Sequence, residues 1–549
     1  MAYDEEAYKG CFDNAAQEWF GELKPTSGAF PEDLEGTFFA NGPGKFQING
    51  QRFKNPFEGD GMVSAVTFAE GGGRAHFRNR FVRTKGLAKE EAAGKVLRAN
   101  NRQPMGYCAA WAGSLLDRRR NFANRGVLYW GRLCLAMWDG GLPWKIDPKN
   151  LETYFQDDVK GYLRKGDKGG ETMASRARVD GANNRLVIFG YDGAAKVCVR
   201  EFNDKLQCGR IREDALPGGP ALISDFAITE RYYVFSVPKV TLDKLPYTLG
   251  LKGLDEALAQ PSDAPTSIVL IPRSADTKLR PITIPADPHI CWGIANAFDG
   301  DDDTVVIDMV RMDPLHLGAA AARAGAAPGI SGDSGAFSYA AAVPPRRLVR
   351  YTVPVGDGAA AVQQRELCAR HCDYATVAAR DGARRHRYVY CGVGADAAGG
   401  SPHARTPRPP PRRRPSPIQG VCSVDTETGA ESVWMAGEKE FLGAISHAPA
   451  RDGDEAHGGY VIGILTDGLA RSSELVVLRA LDIAAGPVCR APINGNIPPS
   501  FGAWFTPGAA AAWSPEALDK SFALANLFKR KGWNEAKSEF SSLGMNMLD

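Results

Sequence analysis

The chain has 549 residues, of which 44% are hydrophobic and 24% charged, the balance of an ordinary soluble globular protein. A formal net charge of +2 gives no global electrostatic case for nucleic acid or for an anionic membrane. No apolar run approaches the ~18 residues needed to cross a bilayer, so no transmembrane segment is expected and any membrane association would be peripheral.

In chain order, residues 1–24 read as an N-terminal arm whose start, MAYDEEAYKG, is acidic and lacks the apolar core of a signal peptide. Residues 56–87, PFEGDGMVSAVTFAEGGGRAHFRNRFVRTKGL, read as two β-hairpins. A tight acidic turn is expected at Glu58-Gly59-Asp60-Gly61, with period-two alternation on both sides. Further strands are expected at Arg185–Tyr191, Val197–Phe202, Tyr232–Val237, Ser267–Pro272, Thr304–Arg311, Leu348–Val353, Tyr388–Cys391, Ser432–Met435, Tyr460–Thr466 and Leu475–Arg479. Gly, Pro, Asp and Asn turns separate them. Short strands spaced evenly over more than 450 residues, without long α/β alternation, predict radial repetition, an all-β propeller spanning 25–512.

Two insertions interrupt the pattern. Residues 317–336 are small and featureless, and residues 394–417 are Pro-rich and basic, with three consecutive arginines at Arg412, Arg413 and Arg414. The second reads as a solvated loop or as a docking arm for an acidic partner. From 513 to 549 the texture turns helical: Ser514 as N-cap, Pro515 at the first helical position, and Leu518, Phe522, Ala525 and Phe528 on one face. That extension packs on the protein's own body or docks on a partner protein.

Eleven cysteines, odd in number and irregular in spacing, suit a reducing compartment with buried thiols rather than a disulfide framework. The tightest group, Cys368-Ala-Arg-His371-Cys372, resembles half a zinc site but has no convincing second half in the sequence. GPGKFQING near residue 42 lacks the ending and the βαβ context of a phosphate loop. Ser175 or Ser224 as a nucleophile would need a nearby His, and none is adjacent.

The opening hairpins have neighbours of the same texture. LEGTFFANGPG (34–44), FEGDGMVSAVTF (57–68), RNRFVRTKGL (78–87), LAMWDGGLPWKIDPKNLET (135–153), SDFAITERYYVF (224–235) and NAFDGDDDTVVIDMVR (296–311) come in an order and spacing that resemble the carotenoid cleavage oxygenases. RRHRYVYCGV (384–393), GGYVIGILTD (458–467) and SSELVVLRALDI (472–483) continue the match over roughly 25–508. The resemblance implies a seven-bladed β-propeller capped by a helical dome, with catalytic Fe(II) on the axis held by four His and oriented by three Glu.

Carried over position by position, the resemblance places Arg176, Ser224, Gly293 and Gly502 where the four His are expected. It places Asp139, Asp373 and Ala444 where the three Glu are expected. Glycine offers no ligand, a guanidinium stays protonated, and a neutral serine binds Fe(II) weakly. Only eight His exist in the chain, and none lies beside Arg176, Ser224 or Gly502. Fe(II), the cofactor of the family, is therefore not expected here, nor is any other cofactor or catalytic residue. Arg176 is expected either to replace the missing positive charge by pairing with Asp139, Asp373 or Asp225, or to face outward after a local register change. Trp138, Trp144, Phe226, Trp292 and Trp504 are candidates to line an apolar tunnel, the alternative being plain propeller core, where buried aromatics are more often found.

Three functions are open. The first is a catalytically inactive structural or interaction subunit, meeting protein partners through its surface, insertions and C-terminal helix, as in a photosynthetic pigment–protein assembly. The second is a metal-free binder of a carotenoid or another long apolar ligand. The third is an active oxygenase or isomerase with a rebuilt metal site. The family resemblance suggests a plastid location, with the cytoplasm as the alternative.

Overall fold

The computed structural model describes residues 3–507 except 16, 54–58, 70, 97–119, 140, 164–171, 192–195, 218–222, 224, 243–257, 260–262, 277, 315–344, 357–360, 396–414 and 452–457. The expected C-terminal helix at 513–549 and most of both insertions lie outside the described residues.

Seven antiparallel sheets form the blades of a β-propeller. Their inner strands are Gly126–Trp130 in the second blade, Thr172–Asp180 in the third, Phe226–Ile228 in the fourth, Ile290–Asp299 in the fifth, Cys372–Thr376 in the sixth and Ser446–Ala448 in the seventh. The ring closes on itself: Gly502–Thr506, late in the chain, pairs with Gly36–Lys45 as the inner strand of the first blade. Ser27–Gly28 in turn adds to Pro487–Ile493 at the outer edge of the seventh. Phe20–Leu23, expected in the N-terminal arm, pairs with Ala75–Phe81 as the outer strand of the first blade.

The core lies between blades rather than within them. In the fourth blade Tyr233 and Phe235 pack against Val187 and Phe189 of the third, while Val234, between them in sequence, packs with Ile294 and Ile307 of the fifth. Alternate residues of one strand thus face opposite neighbours, so both sets must be apolar. That is why these strands read as continuous hydrophobic runs. One such cluster fills each of the seven junctions.

Three segments rich in residues that favour turns, among them the Asp60-Gly61 half of the expected acidic turn, are strand residues instead. Asn41, Gly42 and Pro43 lie in Gly36–Lys45, Asp60 and Gly61 begin Asp60–Phe68, and Asn296 lies in Ile290–Asp299. Glu58 is outside the described residues. Asn and Gly have another use here. The Asn41 amide donates to Ala123 O at 2.9 Å and Gly126 O at 2.7 Å, tying the first blade to the second. Asn296 donates to Asp381 O and Arg384 O, both at 2.9 Å, and ties the fifth blade to the connection inside the sixth. At Gly42 a Cβ would sit 2.6 Å from Ser500 Cα, so only glycine allows this approach.

Among the described residues α-helix is limited to Glu5–Gly10 and Lys85–Ala93, so no helical dome layer is present among them. The second helix is capped at both ends. The Thr84 hydroxyl accepts from Leu87 N, and Gly94 closes it in the left-handed region at φ 63°. No helix among the described residues is long and apolar enough to cross a membrane.

Candidate functional site

Where the inner strands converge, a cavity of about 480 Å³ opens. Arg176, Gly293 and Gly502 all line it, as do Asp373 and Ala444. Three positions distant in sequence are thus brought to one place. Ser224 is outside the described residues.

Strand irregularity sets how these positions are presented. The register of Thr172–Asp180 slips between Met173 and Ala177, which puts Arg176 in a bulge. Ile290–Asp299 slips between Cys291 and Gly293 and again between Ile294 and Asn296. Cys372–Thr376 slips between Asp373 and Thr376, with Tyr374 in the left-handed region at φ 54°. A bulge breaks the two-residue alternation and re-aims side chains, here toward the cavity.

Asp225 and Asp373, which line the cavity, and Asp139, which does not, each have a cationic partner, and none of these partners is Arg176. Asp225 Oδ2 accepts from Arg178 Nη2 at 2.6 Å and from Ile294 N at 2.8 Å. Arg178 also donates to Phe226 O and Ile294 O, both at 2.7 Å. One guanidinium therefore joins the third, fourth and fifth blades. Asp373 Oδ2 accepts from Arg346 Nη1 at 2.5 Å and from Trp292 Nε1 at 3.0 Å, and the Arg346 guanidinium stacks 4.4 Å from the Trp292 ring. Asp139 accepts from Ser175 N at 2.7 Å and faces Arg125 Nε at 3.5 Å. Arg176 makes one long hydrogen bond, from Nη2 to Phe501 O at 3.4 Å. Among the described residues no carboxylate comes within ion-pair distance of it. The expected pairing of Arg176 is corrected accordingly: the bulge turns it into the cavity, and other arginines already hold the carboxylates.

The aromatic lining also differs from expectation. Trp504 lines the cavity, joined by Tyr129 and Trp130. Trp138 packs edge-on against Phe122, and Trp144 is buried between the first and second blades. Phe226 faces Phe189 and Phe235 in the core of the third and fourth blades. Trp292 is held by Asp373 and Arg346 outside the cavity wall. Nearness in sequence to the axial positions did not fix which face each ring takes.

The described residues do not fit an Fe(II) centre on the axis. Metal–imidazole bonds of ~2.1 Å demand several rings converging on one point. Only His447 among the described His lines the cavity, and its Nε2 is engaged by Gly458 O at 2.7 Å. Burial pushes that imidazole down to about 4, with the Gly458 carbonyl opposing, so it is neutral at pH 7. His289, His371 and His386 are buried against Ser236, Arg346 and Asp308. Gly502 has no room for a side chain: a Cβ there would lie 2.5 Å from Arg125 O. Gly293 is open, its nearest neighbour being Asp225 Oδ2 at 3.8 Å.

Sequence reading missed Arg125, Arg178, Arg346 and His447. Arg178 carried one usable signal, since it follows Arg176 by two residues in an apparent strand. Arg125 and Arg346 lie in stretches with no local mark of a site.

The seven-bladed propeller is the architecture that the family resemblance implied. The family model described as retinal pigment epithelial membrane protein matches residues 12–507, and the chain belongs to this carotenoid oxygenase family. It is similar to the apocarotenoid-15,15'-oxygenase of Synechocystis, at 30% identity over 92% of this chain and 97% of the relative. It is also similar to a chloroplastic carotenoid cleavage dioxygenase of Oryza sativa, at 24% identity over 84% of this chain and 83% of the relative. The cobalt-substituted structure of the Synechocystis oxygenase superposes with a TM-score of 0.78 at 29% identity, covering 92% of this chain and 99% of that one.

Proposed function

We propose that this chain is a catalytically inactive member of its family that holds no Fe(II) and uses its axial cavity to bind an elongated apolar molecule with an anionic end. The observation that carries the reading is Arg176: it lines a cavity of about 480 Å³ and has no carboxylate partner among the described residues. A volume of this size suits a small-molecule ligand, and Tyr129, Trp130, Ile228, Ile294 and Trp504 supply apolar wall. A guanidinium without a counter-charge in such surroundings favours a ligand carboxylate over a neutral head. An apocarotenoid acid has this chemistry. Action as an interaction subunit would rest on residues 317–336, 394–417 and 513–549, largely outside the described residues, and no observation favours it over ligand binding.

The test uses parinaric acid, a conjugated fatty acid whose fluorescence rises in apolar sites. Saturable binding is expected, with Arg176→Gln weakening it about 10- to 100-fold, the worth of one charge-assisted hydrogen bond. The methyl ester should bind the wild type as weakly as the acid binds the variant. Equal binding of acid and ester, or no saturable binding, would overturn the reading.

A further inference from the structure

The junction between the fifth and sixth blades is unlike the other six. Its core contains four thiols, Cys368, Cys372, Cys391 and Cys422, all fully buried. Cys391 and Cys422 are direct cross-strand partners in the sixth blade, and Cys372 stands opposite Val393, one diagonal step from Cys391 on the same face. Cys368 reaches the group from the outer strand of the fifth blade. Cys391 and Cys422, opposite each other in the ladder, present their side chains on one face of the sheet.

A carboxylate enters this layer. Glu431 stands opposite Val424, two residues along from Cys422, and so shares its face. An oxygen of Glu431 and the sulfurs of Cys368 and Cys422 all lie within 4.8 Å of one another. Among the described residues this is the only group of three potential ligands so placed. The Glu431 side chain is 28% exposed and salt-bridged to Arg370 at 3.0 Å, so the group has an opening to solvent beside a fixed cation.

We propose that Cys368, Cys422 and Glu431, joined by Cys391 through its cross-strand pairing with Cys422, form a structural zinc site that clamps the fifth blade to the sixth. Sulfurs on a tetrahedral zinc sit about 3.8 Å apart for Zn–S bonds of about 2.3 Å, and the Cys368 and Cys422 sulfurs already lie within 4.8 Å of each other. Soft thiolates select Zn(II) over hard cations, and a closed four-ligand set is structural rather than catalytic. On binding, S–Zn bonds replace the S–H bonds of the three cysteines, three protons leave to solvent, and Glu431 joins as its carboxylate. No electrons are transferred. Cys372 keeps its proton and orients Cys391, and Arg370 offsets the excess negative charge. Cys368 and Cys372 are thus part of a site completed by a cross-strand pair from the neighbouring hairpin. His371 is not a ligand, since it lies against Arg346, with Nε2 3.1 Å from Nη2.

The full chain is stripped with chelator under reducing conditions and titrated with Co(II), then with Zn(II). Expected results are a thiolate-to-cobalt charge-transfer band that saturates at one ion per chain, its displacement by zinc, and a zinc-dependent rise in thermal stability. Cys422→Ser should abolish the band. Glu431→Gln, partly exposed and expected to fold, removes a ligand and should weaken zinc at least 10-fold, the cost at other metal sites of losing even a group that only supports a ligand. Cys208→Ser, in the third blade, should change nothing. Absence of the band in a folded chain with reduced thiols would overturn the proposal. So would a mass lighter by two hydrogen atoms from a Cys391–Cys422 disulfide, or Glu431→Gln binding zinc as tightly as the wild type.

Discussion

Arg178→Met tests whether the carboxylates near the axis depend on arginine. The side chain makes hydrogen bonds at 2.6, 2.7 and 2.7 Å to Asp225, Phe226 O and Ile294 O, on two different blades. Asp225 is only 4% exposed and Arg178 22%. Methionine keeps the apolar stem but leaves Asp225 with just the amides of Phe226 and Ile294, each at 2.8 Å. Removing one partner of a buried pair costs about 3–5 kcal/mol. Because Arg178 is partly reached by solvent, the lower end, about 3 kcal/mol, is expected. Urea unfolding followed by tryptophan fluorescence measures it. Arg385→Met, whose ion pair with Asp301 is exposed on both sides, should change stability by no more than ~0.5 kcal/mol. The two variants compared with Asp225→Asn and its double mutant should give a coupling of about 1–3 kcal/mol for Arg178 and Asp225. A loss for Arg178→Met no larger than for Arg385→Met would refute the reasoning.

The close approach at Gly502 predicts that Gly502→Ala destabilises by about 1–3 kcal/mol, since its Cβ would meet Arg125 O at 2.5 Å. Gly293→Ala, with 3.8 Å to its nearest neighbour, should be nearly neutral by the same denaturation assay, and equal effects would contradict the difference in space. Stability should fall with pH because His447 and His289 are both pushed down to about 4 by burial. The unfolded chain binds their protons first, so stability present above about pH 6.5 is lost as pH falls toward 4, on the order of 3 kcal/mol per group. In His447→Phe the slope over that window should be shallower, and an unchanged slope would exclude His447 as a contributor.

The blades were legible because their middle strands are buried on both faces and end on turns. Arg185–Tyr191 and Tyr232–Val237 were read with the bounds they have. The axial positions were legible as places, since Arg176, Gly293 and Gly502 do meet at one cavity. Orientation was not. Bulges at Arg176 and beside Gly293 and Asp373 shift the parity on which any statement about facing rests. So Arg176 and Arg178 took different roles, and four of five candidate aromatic rings took other faces. Asn41 and Asn296 look like turn residues from their local preference, yet long-range hydrogen bonds to neighbouring blades hold them in strands. The thiol group was half visible at Cys368 and Cys372, and its remainder appeared only once β-pairing brought Cys391 beside Cys422.

The central claim, that no iron is held on the propeller axis, is tested most directly by metal analysis of the full chain. The protein is to be saturated anaerobically with Fe(II), freed of unbound metal, and measured for iron, with Arg176→Ala as the comparison. Iron far below one atom per chain in both proteins is the expected result. One retained iron per chain with nitrogen ligands in its X-ray absorption spectrum would contradict the account.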